Sequence, residues 1–112
     1  MLTKSFQVSG KVQGVMFRQT FIRCCQRFKL PAAGATNSKI KTIVTSTVKG
    51  DEETLKQFLD HLRSFQGKSL NSWNARFEEL KELETVVPIA KHQVTTENVD
   101  KKKWNPNVQF FL

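Results

Sequence analysis

The sequence predicts an α+β fold in which two helices cover one face of an antiparallel sheet. Residues 2–9 alternate between apolar and polar side chains, as a half-buried strand does, and residues 40–50 form a run rich in β-branched side chains. Residues 17–28 and 52–65 instead repeat apolar side chains at helical spacing. The chain has 112 residues, enough for one core, so we expect a single domain over 1–112.

The first strand and the first helix are separated by a glycine-containing break. Leu2, Phe6 and Val8 share one face of the strand, which ends where Gly10 and Gly14 occur. A helical stripe follows, and Pro31 ends it soon afterwards. Because adjacent cysteines in a helix cannot easily pair, we interpret both cysteines of this stripe as core residues. The stripe consists of Phe17, Phe21, Cys24, Cys25 and Phe28.

A hairpin and a second helix come next. Residues 33–38 predict a short strand, and Ile40, Val44 and Val48 share one face of the strand that follows. Asp51 is well placed to cap the start of a helix. The apolar stripe of that helix is Leu55, Phe58, Leu59, Leu62 and Phe65, which puts His61 on its solvent side.

The last third of the chain has weaker patterns. Trp73, Phe77 and Leu80 fit a helix by their spacing. Residues 85–106 look polar and irregular, and covering a sheet edge is their simplest role. Residues 108, 110 and 112 alternate as a terminal strand would. We interpret Trp73 and Trp104 as packing residues under loops.

Charge is distributed unevenly along the chain. Residues 1–50 contain nine Lys or Arg and no Asp or Glu, whereas residues 51–112 contain nine basic and ten acidic residues. The first half therefore offers no carboxylate as a general base or metal ligand. A solvated basic face explains most of these side chains, but the same half would attract phosphate, nucleic acid or an acidic surface.

The break between the first strand and helix can bind an anion. Residues 10–18 read Gly-Lys-Val-Gln-Gly-Val-Met-Phe-Arg. The glycines let the backbone curl, consecutive N–H groups can form an anion cradle, and a helix N-terminus adds about half a positive charge. Arg18 lies at the end of the helix that disfavours a cation unless an anion is bound there. The alternative is an exposed Arg18 without a partner, and physics alone leaves the two about even.

This run closely resembles the signature of the acylphosphatase family, G-x-V-Q-G-V-x-F-R, at every fixed position. The resemblance extends over roughly residues 4–83 and 107–112. It implies a bulged strand at about residues 75–83 in place of the helix. The element order is then strand, helix, strand, strand, helix, strand, which is the ferredoxin-like split βαβ sandwich. That architecture hosts many functions and settles none by itself.

The resemblance also implies an activity, the hydrolysis of the carboxyl–phosphate bond of small acyl phosphates, without a metal or organic cofactor. Arg18 and the loop amides would hold the phosphate, and an asparagine of the second strand would orient the attacking water. The loop residues that we predict to bind substrate are Gly10, Lys11, Val12, Gln13, Gly14, Val15 and Met16.

The asparagine is where this chain departs from the family motif, G-W-V-x-N. Asn37 comes three residues after Gly34 rather than four, an ungapped alignment puts Ser38 in its place, and Ala35 replaces the tryptophan. A bulge or an altered strand entry would restore Asn37, Ser38 could substitute for it, or the role could be lost. Asn37 as an ordinary turn residue is a further reading. We predict Arg18 and Asn37 as the catalytic residues.

Other functional classes fit less well. His92 has no partners at metal-ligand spacing, so we predict no metal site and no His/Cys nucleophile. The chain has nine Phe and no Tyr, and most Phe fall on core stripes, so a nucleic-acid-binding module is the less favoured alternative. A purely structural domain is disfavoured by the intact loop. No apolar run approaches the ~20 residues of a membrane span, and no signal peptide begins the chain. We therefore expect a cytoplasmic, basic, monomeric protein that does not bind membranes.

Overall fold

The computed structural model describes residues 1–102 and 105–112. Its elements in chain order are β1 (Leu2–Lys11), α1 (Phe17–Arg27), β2 (Ala32–Asn37), β3 (Ile43–Gly50), α2 (Glu52–Ser64), β4 (Arg76–Glu82) and β5 (Val94–Thr95). The strands form one antiparallel sheet in the order β4-β1-β3-β2-β5. The ferredoxin-like prediction is confirmed. Within the described residues, neither helix is long and apolar enough to cross a membrane.

An aromatic core joins the two helices to the sheet. Phe21 of α1 contacts Phe58 of α2 with ring centroids 5.6 Å apart, and Phe6 and Val8 of β1 are buried in the same cluster. Burying one side chain of this size stabilises the fold by about 1.5–3 kcal/mol. The helical stripes predicted from the sequence thus form the core between the helices and the sheet.

On the opposite face of the sheet, the segment that follows β4 bonds to Ser5 and Thr47. The hydroxyl of Thr47 donates to the carbonyl of Val87 at 2.7 Å, and the N–H of Val87 donates to Ser5 Oγ at 2.8 Å. Since the Thr47 proton is used, the Ser5 hydroxyl donates to Thr47 Oγ1, 2.6 Å away. This closed ring satisfies two buried hydroxyls and fixes the segment to β1 and β3.

Two predictions for the C-terminal third are wrong. Residues 85–106 are not irregular throughout, because Val94–Thr95 form β5 beside β2. Residues 108–112 do not form a strand of the sheet, and Phe110 makes one isolated bridge to Asn71. The edge of β2 is occupied by β5, so the later segment packs elsewhere. The bulged fourth strand is confirmed, with the register shift opposite residues Ser9 and Gly10.

Single side chains also differ from the sequence prediction. Ile40 is 60% exposed in the turn before β3 rather than on the face of Val44. The His61 ring does not lie on the solvent side of α2, because it packs between Phe28 and Phe65, at 5.3 Å from each. Trp73 is half-buried, whereas Trp104 lies outside the described residues.

Cys24 and Cys25 are core residues, as predicted. Both thiols are free and the residues are fully buried. Burial raises the pKa of Cys24, against a smaller opposing effect of Arg27, and raises the pKa of Cys25 more strongly. The native state therefore keeps both protons at a pH where the unfolded chain begins to lose them.

This difference predicts a loss of stability at alkaline pH. The thiols of the unfolded chain ionise near pH ~8.5, so above that value the unfolded state binds fewer protons than the native state and the free energy of unfolding falls. We expect urea unfolding midpoints to decline from pH 8 to 10. A Cys25→Ala variant, less stable at pH 7 because of its smaller side chain, should show a shallower decline. If the midpoints of wild type and Cys25→Ala declined equally with pH, thiol ionisation would not be the cause of the decline.

Candidate active site

The connection between β1 and α1 is a tightly curled loop. Two of its residues have a positive backbone φ, namely Gly14 at 75° and Met16 at 60°, and Gly10 at the end of β1 has φ 146°. A non-glycine residue in the left-handed region costs roughly 1–2 kcal/mol. Strain of this kind is retained where surrounding contacts hold it, and it is common at binding sites.

Consecutive N–H groups of this loop have no partner. Among the described residues, no backbone or side-chain acceptor is bonded to the amides of residues 12–16. Gly10 differs, because its N–H donates to the carbonyl of Thr42 at 2.9 Å and is not free to bind substrate. The seven residues of the sequence-predicted loop therefore comprise Gly10, whose N–H is already bonded, Lys11, which belongs to β1 and pairs with Arg76, and five adjacent residues whose N–H groups have no partner among the described residues.

The start of α1 is left without a cap. Met16 occupies the N-cap position, provides no side-chain hydrogen bond, and no acidic residue lies in the first turn. At the start of α2, by contrast, the Asp51 carboxylate accepts from the N–H of Thr54 at 2.8 Å, and Glu52 and Glu53 follow. The positive end of the α1 dipole is thus uncompensated beside the free amides.

Arg18 lies in the first turn of α1, half-buried. Burial lowers the pKa of its guanidinium from the ordinary value, although an arginine remains charged at neutral pH. No hydrogen bond or ion pair to Arg18 exists within residues 1–102 and 105–112. A partly desolvated cation next to free N–H donors favours the binding of an anion.

Gln13 connects the loop to the turn between β2 and β3. Its side-chain amide donates to the carbonyls of Ser38 and Ile43, at 3.1 and 2.9 Å, and to that of Ile40 at 3.1 Å. Asn37 immediately precedes this turn. Gln13, predicted as a substrate ligand, therefore directs its side chain away from a substrate and holds the end of β2 against the loop.

Strand register distinguishes Asn37 from Ser38. Asn37 pairs with Val44, which is buried in the core under the helices, so Asn37 lies on the helix side of the sheet. Asn37 is exposed at the strand end, and its side chain has no hydrogen-bond partner among the described residues. The Ser38 hydroxyl is used within the turn, where it bonds the N–H and carbonyl of Ile40 at 3.0 and 2.9 Å.

A family model named Acylphosphatase matches residues 4–92 of this chain. The chain belongs to the acylphosphatase family. A search of curated proteins finds no significant match.

Solved structures support the same fold. The chain is similar to the acylphosphatase from Bacillus subtilis, with 24% identity, a TM-score of 0.54, and coverage of 77% of this chain and 89% of that one. It is also similar to HypF from T. kodakarensis, with 24% identity and a TM-score of 0.56 over 83% of this chain. A full-length HypF in the phosphate- and nucleotide-bound form is also similar, with 24% identity and a TM-score of 0.54 over 80% of this chain. The matched region spans 11% of either HypF chain.

One residue near the loop was missed by the sequence analysis. Asn71 is fully buried, and its Nδ2 donates to the carbonyl of Val15 at 2.9 Å. It lies in a stretch, residues 65–75, in which neither a motif nor a periodicity singles it out.

Within the acylphosphatase-family region that the structure describes, no group of His, Cys, Asp or Glu is arranged to hold a metal ion.

The two loop glycines should respond differently to substitution. A methyl group at Gly10 would lie 2.5 Å from the carbonyl oxygen of Arg76, a backbone atom of β4 that cannot move freely, whereas one at Gly14 would meet no atom within 4 Å. Gly14→Ala should cost about 1 kcal/mol through its positive φ alone. Gly10→Ala should cost at least twice that, measured by chemical denaturation. Equal costs would contradict the close approach of β1 to β4.

Proposed function

We propose that this protein is an acylphosphatase that hydrolyses the carboxyl–phosphate bond of a small-molecule acyl phosphate. The observation that carries the proposal is the five free N–H groups of residues 12–16 beside the half-buried, unpaired Arg18. Amides, helix dipole and guanidinium would all attract the same dianionic phosphate, and arginine can grip two of its oxygens at once. The family to which the chain belongs supports this reading.

The reaction requires mainly positioning and charge stabilisation. In the proposed step a water oxygen bonds to phosphorus while the bond from phosphorus to the acyl oxygen breaks. The electron pair leaves with the carboxylate, and the water proton passes to phosphate or solvent. A carboxylate is a good leaving group, so a strong general base is not required, and Arg18 with the loop amides would balance the charge on the transferring group.

Asn37 is the residue that we propose to orient the water. Its side chain is on the helix side of the sheet and has no hydrogen-bond partner among the described residues, while Gln13 holds the adjacent turn against the loop. An amide can accept from a water and donate to a phosphate oxygen. Ser38 is a weaker candidate because its hydroxyl already bonds within the turn.

The surroundings of the loop would favour anionic substrates. Lys11, Lys39 and Lys41 are exposed near it, and Lys11 pairs directly opposite Arg76 between β1 and β4. Like charges on opposite strand positions are unfavourable, so a bound anion nearby would stabilise them. A monomer acting on a free metabolite is part of this proposal. A cytoplasmic location is part of the same proposal.

The first test is hydrolysis of acetyl phosphate or benzoyl phosphate by chelator-treated protein. We expect turnover well above buffer, and Arg18→Ala should lower kcat/KM by about 10²–10³-fold, as for removal of one preorganised electrostatic donor. Arg18→Lys keeps the charge but loses the planar fork, so it should recover only part of the rate. The exposed Arg27 at the far end of α1 provides the control, since Arg27→Ala should leave the rate unchanged. Wild-type turnover equal to buffer would refute the proposal.

A second test separates the two candidate water ligands. Asn37→Ala should reduce kcat by at least tenfold with a small change in KM, because the loop and Arg18 still hold the phosphate. Ser38→Ala should change kcat little and lower stability by about 1 kcal/mol through the lost turn hydrogen bonds. A larger kcat effect from Ser38→Ala than from Asn37→Ala would reverse the assignment.

The alternative function is a non-catalytic module that binds nucleic acid through the basic half of the chain. The exposed lysines near the loop favour it, but the sheet face away from the helices presents no aromatic platform among the described residues, and Val87 bonds to it through Ser5 and Thr47. Tight, strongly salt-dependent binding of single-stranded oligonucleotides without acyl phosphate hydrolysis would favour this alternative over the enzyme.

A further inference from the structure

The carboxamide of Asn71 contacts the loop of residues 12–16 from inside the protein. Its Nδ2 donates to the carbonyl of Val15 at 2.9 Å and to Thr20 Oγ1 at 2.8 Å, and lies 3.5 Å from the carbonyl of Met16. Thr20 in turn donates through its hydroxyl to the Met16 carbonyl at 2.6 Å. The Val15 carbonyl is therefore held by the buried Asn71 amide, whereas the Met16 carbonyl is held by α1 itself, because it also accepts from the N–H of Thr20 at 3.1 Å.

Peptide geometry converts these contacts into a direction for the loop amides. In a trans peptide the C=O and the following N–H point in opposite directions. Fixing the Val15 carbonyl inward therefore directs the N–H of Met16 outward. Met16 is in the left-handed region at φ 60°, a conformation that needs support from its neighbours.

The other end of the Asn71 side chain fixes its orientation. Oδ1 accepts from the N–H of Trp73 at 2.9 Å and lies 3.3 Å from the N–H of Ala75. Since both of these groups are donors, the oxygen must face them and the NH₂ group must face the loop. The assignment of the amide is thus set by the hydrogen bonds on both sides.

The segment that carries Asn71 is held by the C-terminal part of the chain. Ser72 donates its N–H to the carbonyl of Gln109, and the N–H of Gln109 donates to Ser72 Oγ, both at 2.8 Å. The N–H of Phe111 donates to the carbonyl of Leu70 at 2.8 Å. Residues 109–111 lie beyond the region that the family model matches, so this support comes from outside that region.

We propose that Asn71 is a positioning residue that sets the direction of the Met16 N–H group for phosphate binding, and that residues 109–111 hold Asn71 in place. The proposal rests on the proposed function, because it assigns an anion to the loop. It does not require Asn71 to touch the substrate. Its effect passes through the carbonyl of Val15.

The test measures the binding of inorganic phosphate by titration calorimetry and, separately, the hydrolysis of acetyl phosphate. Asn71→Ala should weaken phosphate binding about tenfold or more, as expected when charge-assisted donors are misdirected, and lower kcat/KM at least as much. Val48→Ala is the control, since Val48 is buried at the end of the sheet remote from the loop. It should lower the unfolding midpoint while retaining wild-type phosphate affinity.

These measurements separate the two proposals. Wild-type protein that binds no phosphate would overturn the proposed function. Wild-type protein that binds phosphate, with Asn71→Ala binding equally well, would overturn the positioning role alone. An equal loss of affinity in Val48→Ala would also overturn it, because the effect would then follow general destabilisation.

Asn71→Asp provides a readout that a merely structural role would not move, and it serves also if Asn71→Ala does not fold. The aspartate keeps the acceptor for Trp73 and Ala75, but as a carboxylate it cannot donate to Val15. As the pH falls and the buried carboxyl gains a proton, it becomes a donor again. The phosphate affinity of Asn71→Asp, divided by that of wild type at the same pH, should therefore rise as the pH falls. At low pH this ratio should exceed the ratio for Asn71→Ala. If Asn71→Ala does not fold, a recovery toward the wild-type value is the supporting result. No recovery, or recovery only to the alanine value, would contradict the hydrogen-bonding role.

The contribution of residues 109–111 is tested with Gln109→Pro, which removes the N–H that donates to Ser72. This variant should weaken phosphate binding in the same direction as Asn71→Ala but less. The double variant should be no weaker than Asn71→Ala alone, since both act through one contact. Additive losses, or wild-type affinity in Gln109→Pro, would contradict support of Asn71 by this segment.

Discussion

The curled backbone of residues 12–16 is the constraint on which the other features of this site depend. A compact protein normally pairs its backbone N–H groups, yet five consecutive amides here have no partner among the described residues. The same turn leads into a helix without a cap and with Arg18 in its first turn. Each of these features is unfavourable alone, and all three become favourable together when a phosphate occupies the turn.

Two buried or half-buried amide side chains hold this backbone from opposite sides. Gln13 fixes the loop to the turn that follows β2, and Asn71 fixes the carbonyl of Val15 toward the interior. Gly10 adds a third restraint, because only a residue without a side chain allows β1 to approach the Arg76 carbonyl of β4 so closely. The open site thus depends on contacts among β1, β2, α1 and the segment before β4, which lie far apart in sequence.

How far the sequence predicts this arrangement depends on the range of each interaction. The loop could be identified because its residues are consecutive, and the helices because their apolar side chains repeat locally. The position of Asn37 could not be settled from residue spacing, since a shift of one residue turns a strand side chain to the other face. Its pairing with Val44 supplies the missing register. Asn71 could not be predicted from the sequence, because its partner Val15 is 56 residues away and buried polar residues have no periodicity.

The last third of the chain shows the same limit for secondary structure. β5 has two residues, too few for an alternating pattern to stand out, whereas residues 108–112 alternate clearly and form no strand of the sheet. Alternation reports that side chains face two environments, and it does not report which backbone supplies the hydrogen bonds. Residues 109–111 bond to Leu70 and Ser72, on either side of Asn71. A segment that resembles an edge strand in sequence therefore bonds to the chain on either side of Asn71 instead of extending the sheet.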